Sequence, residues 1–482
     1  MAGIVFRSGE QKVRPGVYIR VQNVGQPVVP ALPNGIVAAV FRSNWGPIQT
    51  PTVIETAEVI SEKFGVSDSL DMLQEAFRGG CKKIVGVRVG GAGAPAQVTL
   101  TDSNTPPAEV VKITTKYPGT RGNNFTVTIR DSLASTNMKE FLLFEGSTQL
   151  LKLTFAKGTS EPTNSEPTNL VTVINESGNP YVVAKKLADG TVENVTNTAL
   201  QGGTDPTITN ENVLSALTTL EAEDWNVLVV DYDSEDVTLF ASMFASIQAY
   251  IDRVRESGKR VMAVLSQPTT IDLVTRLATA KSFNDPAIVF VLNGFEYSDG
   301  KVVDGYKAAG RVAGMIASAD ITESLTHAVV SGAVAVKGAL SNTDIENAIN
   351  NGAIAFTYNA QKQVQIEQGI TTFITPTADM DMGWRKIRRV RTRDALIDRI
   401  SATWDSLVGK INNDKNGRAT LLAAAQGVIN QMVTEGALIS GTIYEDPANP
   451  PQGDSAWFVI QVDDTDSAEK LYLTFQFRFS PV

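Results

Sequence analysis

Cysteine and histidine are nearly absent from this 482-residue chain, which has one of each, Cys81 and His327. A single thiol builds no disulfide framework within the chain, and the pair falls short of the common Cys/His zinc sites. A histidine-dependent triad is confined to His327, which no nucleophile elbow accompanies. Beside Ala328, Val329 and Val330 this residue reads as packing or a cap. Cys81 lies between Gly79-Gly80 and Lys82-Lys83; the lysines favour an activated thiol, but a small buried residue is the simpler reading. Long apolar runs are missing too: none approaches the roughly 18 residues that span a bilayer. The start of the chain, Met1 to Gly16, holds only Ile4-Val5-Phe6 before charge returns, so no secretory signal is expected and the chain is expected to stay in a cytoplasm.

Phosphate cradles are also lacking. The pattern G-x-x-x-x-G-K-[ST] occurs nowhere. Gly90–Ala96 follows a strand without fitting G-x-G-x-x-G, and Gln97–Thr101 after it has strand character where a helix would be needed. With 42 Lys and Arg against 52 Asp and Glu, the net charge is −10, the wrong sign for a general nucleic-acid binder. Asp379 and Asp381, and the group Asp463, Asp464 and Asp466, have the chemistry of a cation site, but loop composition accounts for them. Neither cofactor nor metal is expected.

What is present suits a globular protein of about three domains, at roughly 150 residues each. Hydrophobic residues make up 43% and charged residues 20%, enough for substantial cores. Residues 1–22 read as an arm, polar and basic, in which Pro15 holds the preceding residue extended and Val17-Tyr18-Ile19 has strand character. Residues 23–95 read as the first part of an α/β core, with apolar strands at Gly35–Phe41 and Lys83–Val89 and helices at Thr56–Phe64 and Ser69–Arg78. From 96 to 203 short β-prone runs recur between Gly, Asn and Pro turns: Val110–Thr115, Phe125–Ile129, Phe141–Phe144, Leu150–Phe155, Leu170–Ile174 and Tyr181–Lys185. That spacing predicts an all-β insertion, a sandwich or barrel, with no helix of useful length. The core resumes over 204–368, where Val227–Val230, Val261–Leu265 and Ile288–Leu292 are apolar throughout, as in parallel strands covered on both faces. Helix-length segments at Glu235–Ser257, Thr270–Ser282 and Gly305–Ser318 complete a doubly wound rhythm. Residues 369–482 read as a C-terminal α+β region: a strand-like Ile370–Thr375, a basic helix, a second helix over Arg418–Glu435 and two last strands.

Five stretches, in order, resemble the contractile tail sheath family: Lys12–Ile19 (KVRPGVYI), Asn44-Trp45-Gly46-Pro47, Lys116–Asn124 (KYPGTRGNN), Ala199–Asp205 (ALQGGTD) and Arg311–Leu325 (RVAGMIASADITESL). The resemblance spans nearly the whole chain. It implies an α/β core nearest a tail tube, a β insertion facing outward, and two arms that add strands to sheets of neighbouring subunits. It implies hexameric rings of the chain itself stacked into a helical sheath, with a tail tube protein, baseplate and tail terminator proteins as further partners, and contraction that drives the tube into a cell. The implied location is the virion tail, assembled in the host bacterial cytoplasm. Phage tails, phage-tail-like bacteriocins and other contractile injection systems share these features alike.

Two stretches carry the expected contacts. Leu471, Leu473, Phe475, Phe477 and Phe479 alternate with Tyr472, Thr474, Gln476 and Arg478, the period of a strand. One reading folds it back as a hairpin on Trp457–Val462; the other donates it to a neighbour. With Val13, Val17, Tyr18 and Ile19 these are the expected strand-exchange residues. The second stretch holds Arg385, Lys386, Arg388, Arg389, Arg391 and Arg393, six bases and no acid within an acidic chain. As a helix it sets Ile387, Val390 and Leu396–Ile397 on an apolar stripe. Its bases suit a solvated face paired with Asp394 and Asp398, or an acidic partner; the family resemblance implies the tube. Two rival readings are an α/β enzyme with a ligand at its strand ends and a cell-surface adhesion protein.

Overall fold

The computed structural model describes the backbone of residues 4–5 and 18–19, and residues 35–158, 164–232 and 236–478. The chain divides into two compact units. One comprises Pro33–Thr392 with Asp466–Val482; the other comprises Met1–Leu32 with Arg393–Thr465.

The larger unit is built on a seven-stranded sheet. Its order is Ala353–Ile354, Ile288–Val291, Met262–Ser266, Val227–Val230, Ile36–Phe41, Lys83–Arg88 and Thr52–Ile54, all parallel except the last pair. Because side chains alternate across a strand, Val37, Ala39 and Phe41 face one core and Ile36, Ala38 and Val40 the other. Helices Asp71–Arg78 and Tyr306–Ser318 cover the first face. Helices Asn210–Thr219, Val237–Glu256 and Leu273–Phe283 cover the second. Burial on both sides explains why these strands are apolar without interruption.

On the first face two helices meet backbone to backbone. A Cβ on Gly314 would sit 2.0 Å from the Ala76 carbonyl oxygen, and one on Gly310 2.4 Å from that of Met72. Between the helices lies a buried charge cluster. Glu75 accepts from Arg311 Nε at 3.0 Å, Arg78 Nη1 at 2.7 Å and the Tyr297 hydroxyl at 2.8 Å.

On the second face, burial and the neighbouring Asp285 push the Asp252 carboxyl up to about 6. An unfolded Asp titrates near ~4, so the folded state holds this proton more tightly. Stability from that protonation is complete below ~4 and is lost as pH rises through about 6. Asp252→Asn is therefore expected to raise stability at pH 7–8 and to leave it unchanged near ~4; urea unfolding at the two pH values checks this.

The segment between the two halves of the core is a pair of antiparallel sheets. Thr148–Ala156, Met138–Glu145, Phe125–Asp131 and Val195–Ala199 form one; Val182–Lys186, Glu109–Thr115 and Gln97–Thr101 form the other. One expectation fails here. Leu170–Ile174 is not a strand but the middle of a helix, Glu166–Glu176, and this helix belongs to the insertion. Pro167 sits in its first turn, where its missing N–H costs nothing. Leu170 and Ile174, one turn apart, are its buried residues in the β core.

In the smaller unit, Ile4–Val5 and Tyr18–Ile19 pair in parallel. The helix Ile387–Asp405 enters this unit at Arg393, and a second helix, Lys415–Thr434, is followed by a hairpin of Leu438–Glu445 and Phe458–Asp464. Trp404 donates to the Leu421 carbonyl and packs its ring 5.1 Å from Phe458. Ile370–Thr375, expected as a strand, makes only an isolated bridge at Ile370. Nor is His327 packed: it is exposed, with φ +60°.

Candidate assembly surfaces

At the strand ends of the large sheet, where doubly wound folds place ligands, the charged side chains are already paired. Between Ile36–Phe41 and Val227–Val230, where the order reverses, Arg42 pairs with Asp231 at 2.7 Å. Arg88, fully buried, donates to the carbonyls of Ser43, Gly46 and Pro118, and burial pushes its guanidinium down to about 10. Cys81 is buried and its thiol pushed up to about 12, so it is inert. Among the described residues no group of three His, Cys, Asp or Glu could hold a metal ion.

Three of the five stretches picked out in the sequence converge where the insertion joins the core. Trp45 is buried against Tyr117 and Phe125, at 5.4 and 5.3 Å, with the Arg121 guanidinium 5.5 Å from its ring. Arg121 also holds Glu145 at 2.9 Å through two donors. Thr120 donates to Asp205, and Gly203 donates to Asn123. A Cβ on Gly119 would lie 1.9 Å from the Asn44 carbonyl oxygen, so a glycine is required there. A cleft of about 420 Å³ opens at this junction. Its cation, Arg121, is already saturated by Glu145 and the carbonyls of Ser61 and Glu62. These stretches seal one domain to another.

The expected contact surfaces fare differently. Val13, Val17 and Phe479 lie outside the described residues; Tyr18 and Ile19 form the second strand of the short parallel pair. Residues 471–478 have neither helix nor strand. Leu471, Tyr472, Leu473, Phe475 and Phe477 are 75–89% exposed, an apolar surface of a kind that usually marks an interface. The hairpin with Trp457–Val462 is not formed: residues 471–478 make no strand, and Phe458–Asp464 forms its hairpin with Leu438–Glu445. That hairpin is a sheet of two strands among the described residues, so each strand has an unpaired edge. Two strands alone are marginal in water.

The basic stretch is more enclosed than a solvated face. Arg385 donates to the Ile349 carbonyl, and burial lowers its pKa. Lys386 pairs with Glu469 and lies 3.8 Å from Asp466. Arg388 is buried, with no partner at Nε. Arg389 packs its guanidinium over Gly383, where an added Cβ would meet it at 2.4 Å. Arg391 donates to the carbonyls of Ala319 and Asp320, and Arg393 to Asp464. Ile387 and Val390 are buried in the larger unit's core and Leu396 is buried, whereas Ile397 is exposed. Sequence reasoning missed Glu469, which pairs with Lys386 of this basic stretch. Its acidic neighbours Asp463 and Asp464 belong to the last strand and not to a turn.

Among the described residues the features that suit assembly are the exposed apolar tail and, in the smaller unit, the two-stranded sheet. Three family models match in order: the phage tail sheath protein beta-sandwich domain over residues 89–205, the phage tail sheath protein central domain over 207–372, and the phage tail sheath C-terminal domain over 379–478. The chain belongs to the phage tail sheath family. It is similar along its length to the phage-like element PBSX protein XkdK of Bacillus subtilis (strain 168), 27% identical over 98% of this chain and 99% of that one. The sheath tail protein from Desulfitobacterium hafniense superposes with a TM-score of 0.72 at 22% identity, covering 93% of this chain and 100% of that one. The anti-feeding prophage helical sheath in its contracted state shares the fold at a TM-score of 0.54 and 11% identity, over 97% and 99% of the two chains.

Proposed function

We propose that this chain is the structural subunit of a contractile tail sheath, without enzymatic activity. It polymerises as hexameric rings stacked around a tail tube, and contraction of the sheath drives the tube through a target cell envelope. The observation that carries this reading is the exposed tail: Leu471, Leu473, Phe475 and Phe477, four large apolar side chains in strand alternation, with no secondary-structure partner among the described residues. The open edges of Leu438–Glu445 and Phe458–Asp464 are a receptor of the matching chemistry, since strand addition satisfies edge amides and buries alternate side chains. Residues 1–22 act as the second arm. The core, 23–95 with 204–368, lies toward the tube, the insertion 96–203 faces outward, and 369–482 carries the exchange sheet. Baseplate and terminator proteins cap the polymer. Assembly takes place in the bacterial cytoplasm; among the described residues no helix is long and apolar enough to cross a membrane. Electron microscopy of the expressed chain tests this reading. Rings or tubes are expected, and a discrete small particle at all concentrations would refute it.

Tube contact is assigned to Arg385–Arg393, which concentrates positive charge in an acidic chain. Arg388 is buried, so reversing it would damage the fold. Arg389→Glu is the cleaner probe: co-assembly with tube protein is expected to fall several-fold at low salt, as for a charge at an interface rim. Equal co-sedimentation of variant and parent across a salt series would remove the tube assignment. The full-length likeness to a protein of a phage-like element makes the tail of such an element the second reading.

A further inference from the structure

The exposed tail does not leave the molecule loosely. Glu469 is the last inward-facing residue before it, and every described residue from Lys470 to Arg478 is exposed. The Glu469 side chain is 8% exposed and receives five donors. Ser324 and Thr326 hydroxyls donate to Oε1 at 3.3 and 2.9 Å, joined by Ser467 at 3.2 Å. The Gln368 amide donates to Oε2 at 2.9 Å, and Lys386 makes an ion pair with the same oxygen. Thr326 Oγ1 in turn accepts from the Gly369 amide, which fixes the hydroxyl's direction. Burial opposes charge on Glu469, but the bonds from Lys386, Gln368 and Thr326 outweigh it and hold its carboxyl below the usual range.

Surface carboxylates seldom collect this many partners, and a carboxylate with only a solubility role would need none of them. Four of the five partners come from three separate stretches, 324–326, 368 and 386, and they converge on a side chain whose own segment has no helix or strand. Two rigid elements flank those stretches: Val364–Ile366 just before Gln368, and the helix that begins at Ile387.

We infer that Glu469 is a positioning residue, an anchor that fixes where the C-terminal arm departs from the larger unit and so which neighbouring copy of this chain the arm can reach. The second half of that statement rests on the strand-exchange reading; the first half does not. Since Lys386 is also the second base of Arg385–Arg393, a pull on the arm is delivered to the start of that helix.

The test is limited tryptic cleavage after Lys470 in the full-length chain, at dilutions where further dilution no longer changes the rate. A nitroxide at Ala468→Cys reports the same segment, and buried Cys81 does not compete for the label. Glu469→Ala is expected to speed cleavage after Lys470 roughly ten-fold or more, as loss of a cluster of charge-assisted bonds implies. The nitroxide spectrum should sharpen, while cleavage within Pro33–Thr392 stays at the parent rate. Lys386→Glu should act likewise, and the exchanged pair Lys386→Glu with Glu469→Lys, which adds a tryptic site, should return the nitroxide spectrum toward that of the parent. Two results overturn the anchor: unchanged cleavage after Lys470 in Glu469→Ala, or an equal rise at every site in both Glu469→Ala and the isosteric Glu469→Gln. The exchange reading fails separately, if chains lacking the tail still polymerise.

Discussion

Removing Leu471–Val482 is expected to leave a chain that unfolds at the parent temperature and forms no polymer. The described part of this segment makes no strand or helix, and its large apolar side chains are already 75–89% exposed, so the folded monomer loses little. Surface changes of this kind stay within about 0.5 kcal/mol. In a polymer the accounting differs. About five backbone hydrogen bonds at ~1 kcal/mol each are offset by ~1–2 kcal/mol per ordered residue. The surplus then comes from burying Leu471, Leu473, Phe475 and Phe477, about 1.5–3 kcal/mol apiece. Repetition of that contact around a ring multiplies it. Sedimentation and negative-stain microscopy of the truncated chain decide the matter: normal tubes from it would show that the arm is not what joins the subunits.

Glu75→Ala is expected to cost about 3–5 kcal/mol of stability in the larger unit, the range for removing one partner of a buried ion pair. Glu75 is fully buried and Arg311 is 2% exposed. Without the carboxylate, the Arg311 guanidinium keeps only the carbonyls of Arg78 and Ser331, at 3.3 Å, its contact with the Tyr297 hydroxyl, and the Phe295 ring. Urea unfolding measures the loss. Replacing both Glu75 and Arg311 by methionine should cost less than either single change, because no charge is then stranded. A Glu75→Ala change below about 1 kcal/mol would mean that water reaches the cluster and the burial argument fails.

The parallel strands were legible because covering both faces of a sheet demands unbroken apolar runs, as in Val227–Val230 and Ile288–Val291. Short, partly exposed strands such as Ala333–Lys337 offer too brief a run to stand out and went unread. Leu170–Ile174 misled because Val171, Thr172, Val173 and Ile174 are β-branched in a row, while the helical spacing of Leu170 and Ile174 is what tertiary packing uses. The strand Leu438–Glu445 is hidden by Gly441, where an added Cβ would meet Val462 at 2.6 Å and Ile429 at 2.8 Å. The alternation of Leu471–Phe479 was visible in sequence, but its pairing was not, since no described part of the chain supplies a partner strand. Glu469 was invisible for a different reason. Its cation Lys386 is remote in sequence, and a lone acid among Asp463, Asp464 and Asp466 looks like loop polarity.

Gly310 and Gly314 set the mechanical character of the subunit. Where helix Tyr306–Ser318 crosses Asp71–Arg78, main chain approaches main chain at Gly310 and Gly314, and the side chains between the helices are tied together by the Glu75–Arg311 pair. In the contracting sheath proposed above, such a block would turn as one piece. Compliance would then fall to the chain beyond Glu469, whose described residues have neither helix nor strand.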